Sequence, residues 1–449
     1  MTVIFKSSKN STKICTLLGD HFNSISLAEL VTSSRTFPSS SRIDLQTALS
    51  RLLDEKYKAK LFGFHAQYTH ETITMSHLVR DWDHAVMIAP LQYDEIDFGE
   101  IAPARCLKQG LWLSKADQTS FTLLVTHAER FGSDEGMYVE IAVPAGEKGL
   151  NITRVFLDEL ERVVSQIGSY RGKVISLEAI RSFSGKSGKV RVQKLRNVSR
   201  DEVILPEKTL QLLERNVNDF IQHRDGLKRL GMSAKKGLLF YGPPGTGKTH
   251  TIQYLASHLR DHTTLLITAE QVALLEQYFQ LARFLQPAMV VIEDVDLIAR
   301  AREDMRNPCE ESLLNKLLNE MDGLREDASV LFVLTTNRPE QLETALASRP
   351  GRIDQAIEFP LPDEIGRRKL VRLYSHNLPI GDEVVEAIVQ KTKNASAAFI
   401  KELMRRSAQY QIHAGSSGIL ALEHVESALD EMLFAGGSLN VKLLGGASE

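Results

Sequence analysis

Cysteine is scarce in this chain. Its 449 residues hold three, Cys15, Cys106 and Cys309, far apart and with no C-x-x-C pair. That excludes a disulfide framework and fits a reducing, cytoplasmic setting. No run of eighteen apolar residues occurs, so no membrane-crossing helix is expected. The opening Met1-Thr2-Val3-Ile4-Phe5-Lys6 lacks the apolar core of a secretory leader. Neither sign of charge dominates. The formal net charge is -3, which gives no global pull toward nucleic acid or an anionic membrane. A paired-histidine zinc site is missing too. His70-Glu71-Thr72-Ile73-Thr74 approaches H-E-x-x-H but has Thr where the second imidazole must stand. What remains is ordinary: 43 % hydrophobic and 25 % charged residues, enough for sizeable cores in two or three domains.

Against that background one stretch stands out. Gly242-Pro243-Pro244-Gly245-Thr246-Gly247-Lys248-Thr249 fills every fixed position of G-x-x-x-x-G-K-[ST]. The apolar run Gly237-Leu238-Leu239-Phe240-Tyr241 before it reads as a buried strand. His250-Thr251-Ile252-Gln253-Tyr254-Leu255-Ala256 after it reads as the start of a helix. Strand, glycine loop and helix form the setting a phosphate-binding loop needs. Glycines let backbone N–H groups turn inward toward phosphates, and a helix N-terminus adds partial positive charge. Lys248 would stand between the β- and γ-phosphates of ATP as a point charge, and Thr249 would offer its hydroxyl to Mg2+.

Along the chain, residues 1–42 are rich in Ser and Thr and read as a loosely ordered arm or a short strand with a linker. Leu45, Ala48, Leu49, Leu52 and Leu53 recur at helical spacing. Phe121–Val125 and Met137–Val143 read as strands, and 152–167 as a helix. A hairpin follows, with arms Val174–Ile180 and Val190–Gln193 and its turn at Gly185-Lys186-Ser187-Gly188. Residues 43–200 thus read as an α+β domain. From 201 to 363 strands and helices alternate, with strands at 237–241, 264–268, 289–293, 329–335 and 355–359 and a short one at 201–205. This is the pattern of a parallel sheet covered on both faces. Residues 364–435 read as a helical lid and 436–449 as a flexible tail.

Arg181, Lys186, Lys189, Arg191, Lys194, Arg196 and Arg200 come with no acidic residue between them. They read either as a nucleic-acid contact or as a solvated hairpin edge guarded by charge. The absence of interleaved aromatics beyond Phe183 favours the second.

Met289-Val290-Val291-Ile292 is a buried-strand run that ends in Glu293-Asp294-Val295-Asp296. An ATP-hydrolysing site needs carboxylates at such a strand tip. Glu293 is the candidate for holding Mg2+ and Asp294 for polarising the attacking water. Val330–Leu334 is a further strand, ending in Thr335-Thr336-Asn337, from which Asn337 would reach the γ-phosphate or its water.

These motifs, with Leu317-Leu318-Asn319-Glu320-Met321-Asp322-Gly323, Thr336-Asn337-Arg338-Pro339, Ser348-Arg349-Pro350-Gly351-Arg352-Ile353-Asp354 and Phe359-Pro360-Leu361-Pro362-Asp363, make residues 201–435 resemble the AAA ATPases proper. The resemblance implies an α/β P-loop module with a helical lid and Mg2+-dependent ATP hydrolysis in a ring, usually a hexamer. It implies that Asn337 is a sensor and that Arg349 and Arg352 reach a neighbour's γ-phosphate. It also implies that Asn394-Ala395-Ser396-Ala397-Ala398-Phe399-Ile400, with Ala397 at its centre, lies beside adenine. The Glu293-Asp294 order reverses the family's usual Asp-Glu and is similar to that of the mitochondrial AAA chaperone that moves the folded Rieske protein. The expected output is remodelling of a protein partner chosen through residues 43–200. The alternative is a nucleic-acid-linked or regulatory ATPase using the basic hairpin.

Threading members of that family carry an aromatic, glycine-containing pore loop between the two strands flanking residues 269–288. Here Gln271–Arg283 has helical spacing and no glycine. Tyr278 and Phe279 therefore read as core.

Overall fold

The computed structural model describes residues 13–23, 25–66, 72–81, 85–130, 133–182, 185–300, 313–342, 352–415 and 418–435. The chain forms two compact units, one of residues 1–171 and 176–193, the other of 172–175 and 194–449.

The elements of the first unit are, in order, α1 (Ile14–Phe22), β1 (Leu30–Phe37), α2 (Arg42–Leu49), β2 (Lys60–His65), α3 (Met75–Leu78), β3 (Met87–Ala89), β4 (Gln92–Ile96), β5 (Ala104–Ala116), β6 (Thr119–Arg130), β7 (Ser133–Pro144), α4 (Glu147–Ile167), β8 (Val174–Ser182) and β9 (Gly185–Val192). An antiparallel sheet runs β1-β7-β6-β5-β2-β3, with β4 also on β5. Successive strand residues face opposite ways, so Leu123, Val125, Ile141 and Val143 enter one core with Leu45, Leu49, Phe156 and Leu160 of α2 and α4. Leu124 and Ala142 enter a second core with Ile14, Leu18 and Phe22 of α1 and Met75 and Leu78 of α3.

Residues 13–23 and 25–37 are thus not a loosely ordered arm; the alternative reading of a short strand is met by β1, and the helix α1 is the part not expected. Ile14, Leu18 and Phe22 repeat at helical spacing and are buried, and β1 pairs with β7 along its length, from Leu30↔Pro144 to Phe37↔Met137. The hairpin differs as well. Gly185-Lys186-Ser187-Gly188, expected as its turn, lies within β9. Among the basic residues expected to crowd there, Arg191 pairs with Glu178, Arg196 with Glu202 and Arg200 with Glu214.

The second unit carries α5 (Glu207–Glu214), α6 (Phe220–Arg229), β10 (Lys236–Tyr241), α7 (Lys248–His258), β11 (Thr263–Ile267), α8 (Leu275–Phe284), β12 (Ala288–Ile292), α9 (Val295–Arg300), α10 (Leu313–Asp322), β13 (Val330–Thr336) and β14 (Gln355–Glu358). Four helices follow: α11 (Glu364–Ser375), α12 (Asp382–Lys391), α13 (Ala397–His413) and α14 (Leu422–Asp430). A parallel sheet runs β14-β10-β13-β12-β11, and Val174 and Ile175, the first residues of β8, pair with Thr264 and Leu265 of β11. Every residue of β12 and β13 is buried, as a parallel sheet covered on both faces requires. Each large apolar side chain so buried contributes about 1.5–3 kcal/mol relative to exposure.

On one face Leu238, Phe240, Val291 and Val333 meet Ile252 and Leu255 of α7 and Leu210 and Leu213 of α5. On the other, Phe279 stacks on Phe332 with ring centroids 5.6 Å apart. Tyr278 is fully buried, and its hydroxyl oxygen lies 2.9 Å from both Leu266 O and Gln271 Oε1, two acceptors within reach of its one hydrogen. The lid has its own core, in which Leu370, Val385, Ile388, Phe399, Leu403 and Val425 meet.

The short strand expected at 201–205 is not formed. Residues 200–202 make one tight turn and 203–205 run on without a ladder. Their apolar run serves two cores instead, Val203 under the sheet and Ile204 against the lid. Among the described residues, no helix is long and apolar enough to cross a membrane.

Candidate nucleotide site

The loop from Gly242 to Thr249 joins β10 to α7 at the carboxyl end of the sheet, where β10 sits between β13 and β14. Open α/β sheets hold ligands at such positions. Three of its residues, Gly242, Gly245 and Gly247, sit at positive φ, where glycine is needed. Gly242 has φ +145°, and a Cβ on it would lie 2.3 Å from Phe359 O; Gly245 has φ +76°, and a Cβ on it would lie 2.9 Å from that of Ala398. Pro243, Pro244 and Gly245 are exposed along the rim. Thr246 closes the loop by donating its hydroxyl to Pro243 O at 2.9 Å, and Gly247 precedes the first residue of α7.

Lys248 is only 7 % exposed. Its ammonium is held by the loop itself, donating to Gly242 O at 2.8 Å and Pro243 O at 2.9 Å. Burial pushes its pKa down to about 8, against the opposing pull of Asp294 and Asp296. A cation so placed gains a strong partner when phosphate oxygens arrive.

The carboxylates converge on the same end. Thr249 Oγ1 donates to Glu293 Oε1 at 2.9 Å. A hydroxyl and a carboxylate oxygen side by side are hard donors of the kind Mg2+ takes beside substrate phosphates. Asp294 follows with φ +51° and its N–H on Thr335 Oγ1 at 3.0 Å. Asn337, at the end of β13, donates Nδ2 to Asp294 Oδ1 at 3.1 Å. The structure thus joins Asn337 to the carboxylate assigned to the water. Sequence reasoning left Asp296 unused. It is 4 % exposed, and its Oδ1 accepts from Thr336 Oγ1 at 2.9 Å and from Asn337 N at 3.3 Å. Those bonds fix the turn carrying Asn337. The alternation Asp294-x-Asp296 at a strand end was the available signal.

The lid closes one side. Ser396 caps α13 by accepting from Phe399 N at 3.2 Å, and Ala397 is half-buried at the helix start. The next residue, Ala398, donates its N–H to Gly245 O at 3.1 Å.

The two arginines fare differently. Arg349 lies outside the described residues. Arg352 is at the amino end of the sheet, beside Gly237, where Asp322 binds its Nε at 2.9 Å and also its Nη2. The five residues from Gly237 to Gly242 put it about 16 Å along the strand from the chain's own loop. It borders a cavity of about 400 Å³ lined also by Lys235, Lys236, Asp322 and Asp354.

Residues 238–361 match the family described as "ATPase family associated with various cellular activities (AAA)". The loop, the carboxylate strand and Asn337 all fall inside that segment. The matched segment is thus similar to an AAA module. The chain is similar, at 32 % identity over 212 residues, to the 26S proteasome regulatory subunit 6B homolog of Dictyostelium discoideum, covering 44 % of this chain and 52 % of that one. It is 31 % identical over 217 residues to the proteasome-activating nucleotidase of Thermococcus kodakarensis, covering 46 % and 54 %. It is 29 % identical over 215 residues to the Cell division cycle protein 48 homolog of Archaeoglobus fulgidus, covering 46 % and 29 %. The chain spans about half or less of the length of these curated relatives. Four helices follow the matched segment.

Proposed function

We propose that this chain is a Mg2+-dependent ATPase that works as a cytoplasmic homo-oligomeric ring, a hexamer, and couples hydrolysis to remodelling of a protein partner engaged through residues 43–200. The observation that carries the reading is the meeting of Lys248, Thr249, Glu293, Asp294 and Asn337 at one end of the sheet. The main-chain N–H groups of Gly245 to Thr249 and the Lys248 ammonium bind and orient the phosphates. Mg2+ held by Thr249 and Glu293 would neutralise charge on the transferring phosphoryl group. Asp294 Oδ2, with Oδ1 tied to Asn337, takes the proton of the attacking water. Arg349 and Arg352 serve a neighbour's site, and Ala397 lies beside the adenine.

Tyr278 and Phe279 are packed in the core, so the interval that would carry a gripping loop is occupied by α8. We infer that the ring acts by changing shape on a folded or docked partner. The reversed Glu293-Asp294 order, shared with the chaperone of the folded Rieske protein, supports the same reading. The ion pairs of Arg191, Arg196 and Arg200 weigh against the nucleic-acid alternative.

The test is steady-state phosphate release with Mg2+ and with EDTA. Turnover that survives both EDTA and Lys248→Ala would refute the assignment. For the output, the wild-type ring is offered a tagged, stably folded reporter. Unfolding that is lost in Tyr278→Ala, while that ring stays stable and hydrolyses ATP, would show a threading mechanism instead.

A further inference from the structure

The acidic turn that follows β12 is held by adjacent threonines at the end of β13. The ladder between the two strands ends at the pair Ile292↔Leu334. Beyond it, Glu293 N still reaches β11, donating to Ile267 O at 3.0 Å. The next N–H, that of Asp294, goes to β13 instead and donates to Thr335 Oγ1 at 3.0 Å. A side-chain oxygen thus satisfies a main-chain donor that has run past the last rung. Thr335 and Thr336 point to opposite faces of β13, and they act differently. Thr336 donates its hydroxyl to Asp296 Oδ1 at 2.9 Å, whereas Thr335, 3 % exposed, accepts from the main chain of Asp294.

Asp294 is therefore held through its N–H, its carbonyl and its side chain. The carbonyl accepts from Leu297 N at 2.9 Å, and Oδ1 accepts from Asn337 Nδ2 at 3.1 Å. The backbone between these contacts is left-handed, φ +51°, a region that non-glycine residues enter rarely. The contact with Leu297 opens α9 and needs only main-chain atoms. The contact with Thr335 depends on one side-chain oxygen. An aspartate has a single methylene between backbone and carboxylate, so its oxygens go where the backbone sends them.

We propose that Thr335 is a positioning residue for hydrolysis: its hydroxyl oxygen accepts the Asp294 N–H, holds the left-handed bend and so sets where the carboxylate meets the attacking water. The inference rests on reading Asp294 as the group that takes the water's proton. The phosphate loop is held by bonds of its own, from Thr246 and Lys248 to loop carbonyls. Loss of the Thr335 oxygen therefore leaves ATP binding in place. It slows the chemical step, because a general base acts only within hydrogen-bond reach of its proton.

The experiment uses the full chain. Wild type, Thr335→Ser, Thr335→Ala and Thr335→Val are compared in kcat and in KM for ATP, each also in an Asp294→Asn background. Ser and Ala both lose the methyl group and differ by the hydroxyl alone, while Val keeps the shape of Thr and replaces the oxygen with a methyl. Thr335→Ser is expected to keep kcat within about threefold of wild type, since the acceptor remains. Ala and Val lower kcat by about 10- to 10²-fold, the cost of a small misplacement of a catalytic group. KM stays within about twofold, as for an interaction that acts on the transition state. In the Asp294→Asn background, Ala and Val leave the residual turnover within about twofold, because no carboxylate remains to be aimed. Equal kcat for Ser, Ala and Val overturns the proposal. So does a loss in the Asp294→Asn background as large as in wild type, which would mark a structural role alone. Should Ala fail to fold, the contrast between Ser and Val makes the same division. Asp294→Asn with wild-type turnover would overturn the reading of the site and the proposal with it. A normal loss in Asp294→Asn beside equal Ser and Val rates would remove only the role of Thr335.

Discussion

The two ends of the parallel sheet are built on opposite plans. At the amino end the charges are closed on one another. Arg352 pairs with Asp322, Lys235 with Glu326 at 2.8 Å, and Lys236 lies in the field of Asp354. At the carboxyl end the charges are held by neutral groups. Lys248 rests on two carbonyls, Glu293 on a hydroxyl and Asp294 on an amide. Neutral partners orient a charge without cancelling it, so the carboxyl end keeps its capacity for phosphate and metal. The amino end stores an arginine that its own loop cannot use. On the proposed reading, the subunit would supply half of a site at each end.

The sharpest way to break that comparison is to separate the halves. Arg352→Ala should lower turnover by about 10³-fold or more, the range for a charge that neutralises the transferring phosphoryl, without loss of ATP binding. Mixing it with Lys248→Ala subunits should restore part of the activity, because each supplies the half the other lacks. Activity of a monomeric preparation equal to that of the assembled protein would end the two-halves account.

Within the carboxyl end, Asp294→Asn should retain nucleotide binding and lose about 10²- to 10⁴-fold in kcat. Glu293→Gln should instead weaken Mg2+-dependent binding. Asp296→Ala should lower the thermal midpoint, since Thr336 and Asn337 lose their shared acceptor. An Asp296 variant of normal stability that loses only kcat would move the chemistry to that residue.

The buried ammonium gives a smaller, proton-linked signal. Its pKa in the folded protein, about 8, lies below the ~10.4 of an unfolded chain. Between those values the unfolded chain holds a proton that the folded one has released. Stability from this group therefore rises with pH across that window and is least below it. Phosphates favour the charged form, so ATP binding near pH 9 should take up protons, up to one per site. Calorimetry in buffers of different ionisation enthalpy would show it, and Lys248→Ala would abolish it.

The smallest effect is expected at the amino end. Asp322→Asn should change stability by about 1 kcal/mol or less, because Asp322 is 51 % exposed even though Arg352 is only 12 % exposed. Denaturant midpoints would measure it.

Legibility in the sequence followed the same division. The loop, the strand Met289–Ile292 and the turn at Asn337 were readable because each is a contiguous run with fixed chemistry. Tyr278 and Phe279 were readable as core from helical spacing alone. What escaped depends on partners distant in sequence. Leu30–Phe37 has four Ser and Thr among eight residues, so a short strand there could be named only beside a loose arm, and its pairing with β7 decides between them. Gly185–Gly188 carries turn residues, yet a hairpin arm can accept them where its neighbour supplies the ladder. Val203-Ile204-Leu205 looks like a strand by composition, but its side chains are shared between cores. The Arg352–Asp322 contact joins residues thirty positions apart, which no local pattern encodes.

Asp294 adopts a left-handed backbone, φ +51°, which most side chains enter only at a cost of about 1–2 kcal/mol. Asp and Asn are the non-glycine residues that tolerate it best. Position 294 is therefore filtered twice, once by conformation and once by charge, and the two filters pass different alphabets. An alanine scan would merge them and overstate the carboxylate. Asn leaves the bend comfortable and removes the charge, while Gly leaves the bend free and removes the side chain. The Asn–Gly pair, rather than alanine, divides the conformational share of this residue from its chemical share.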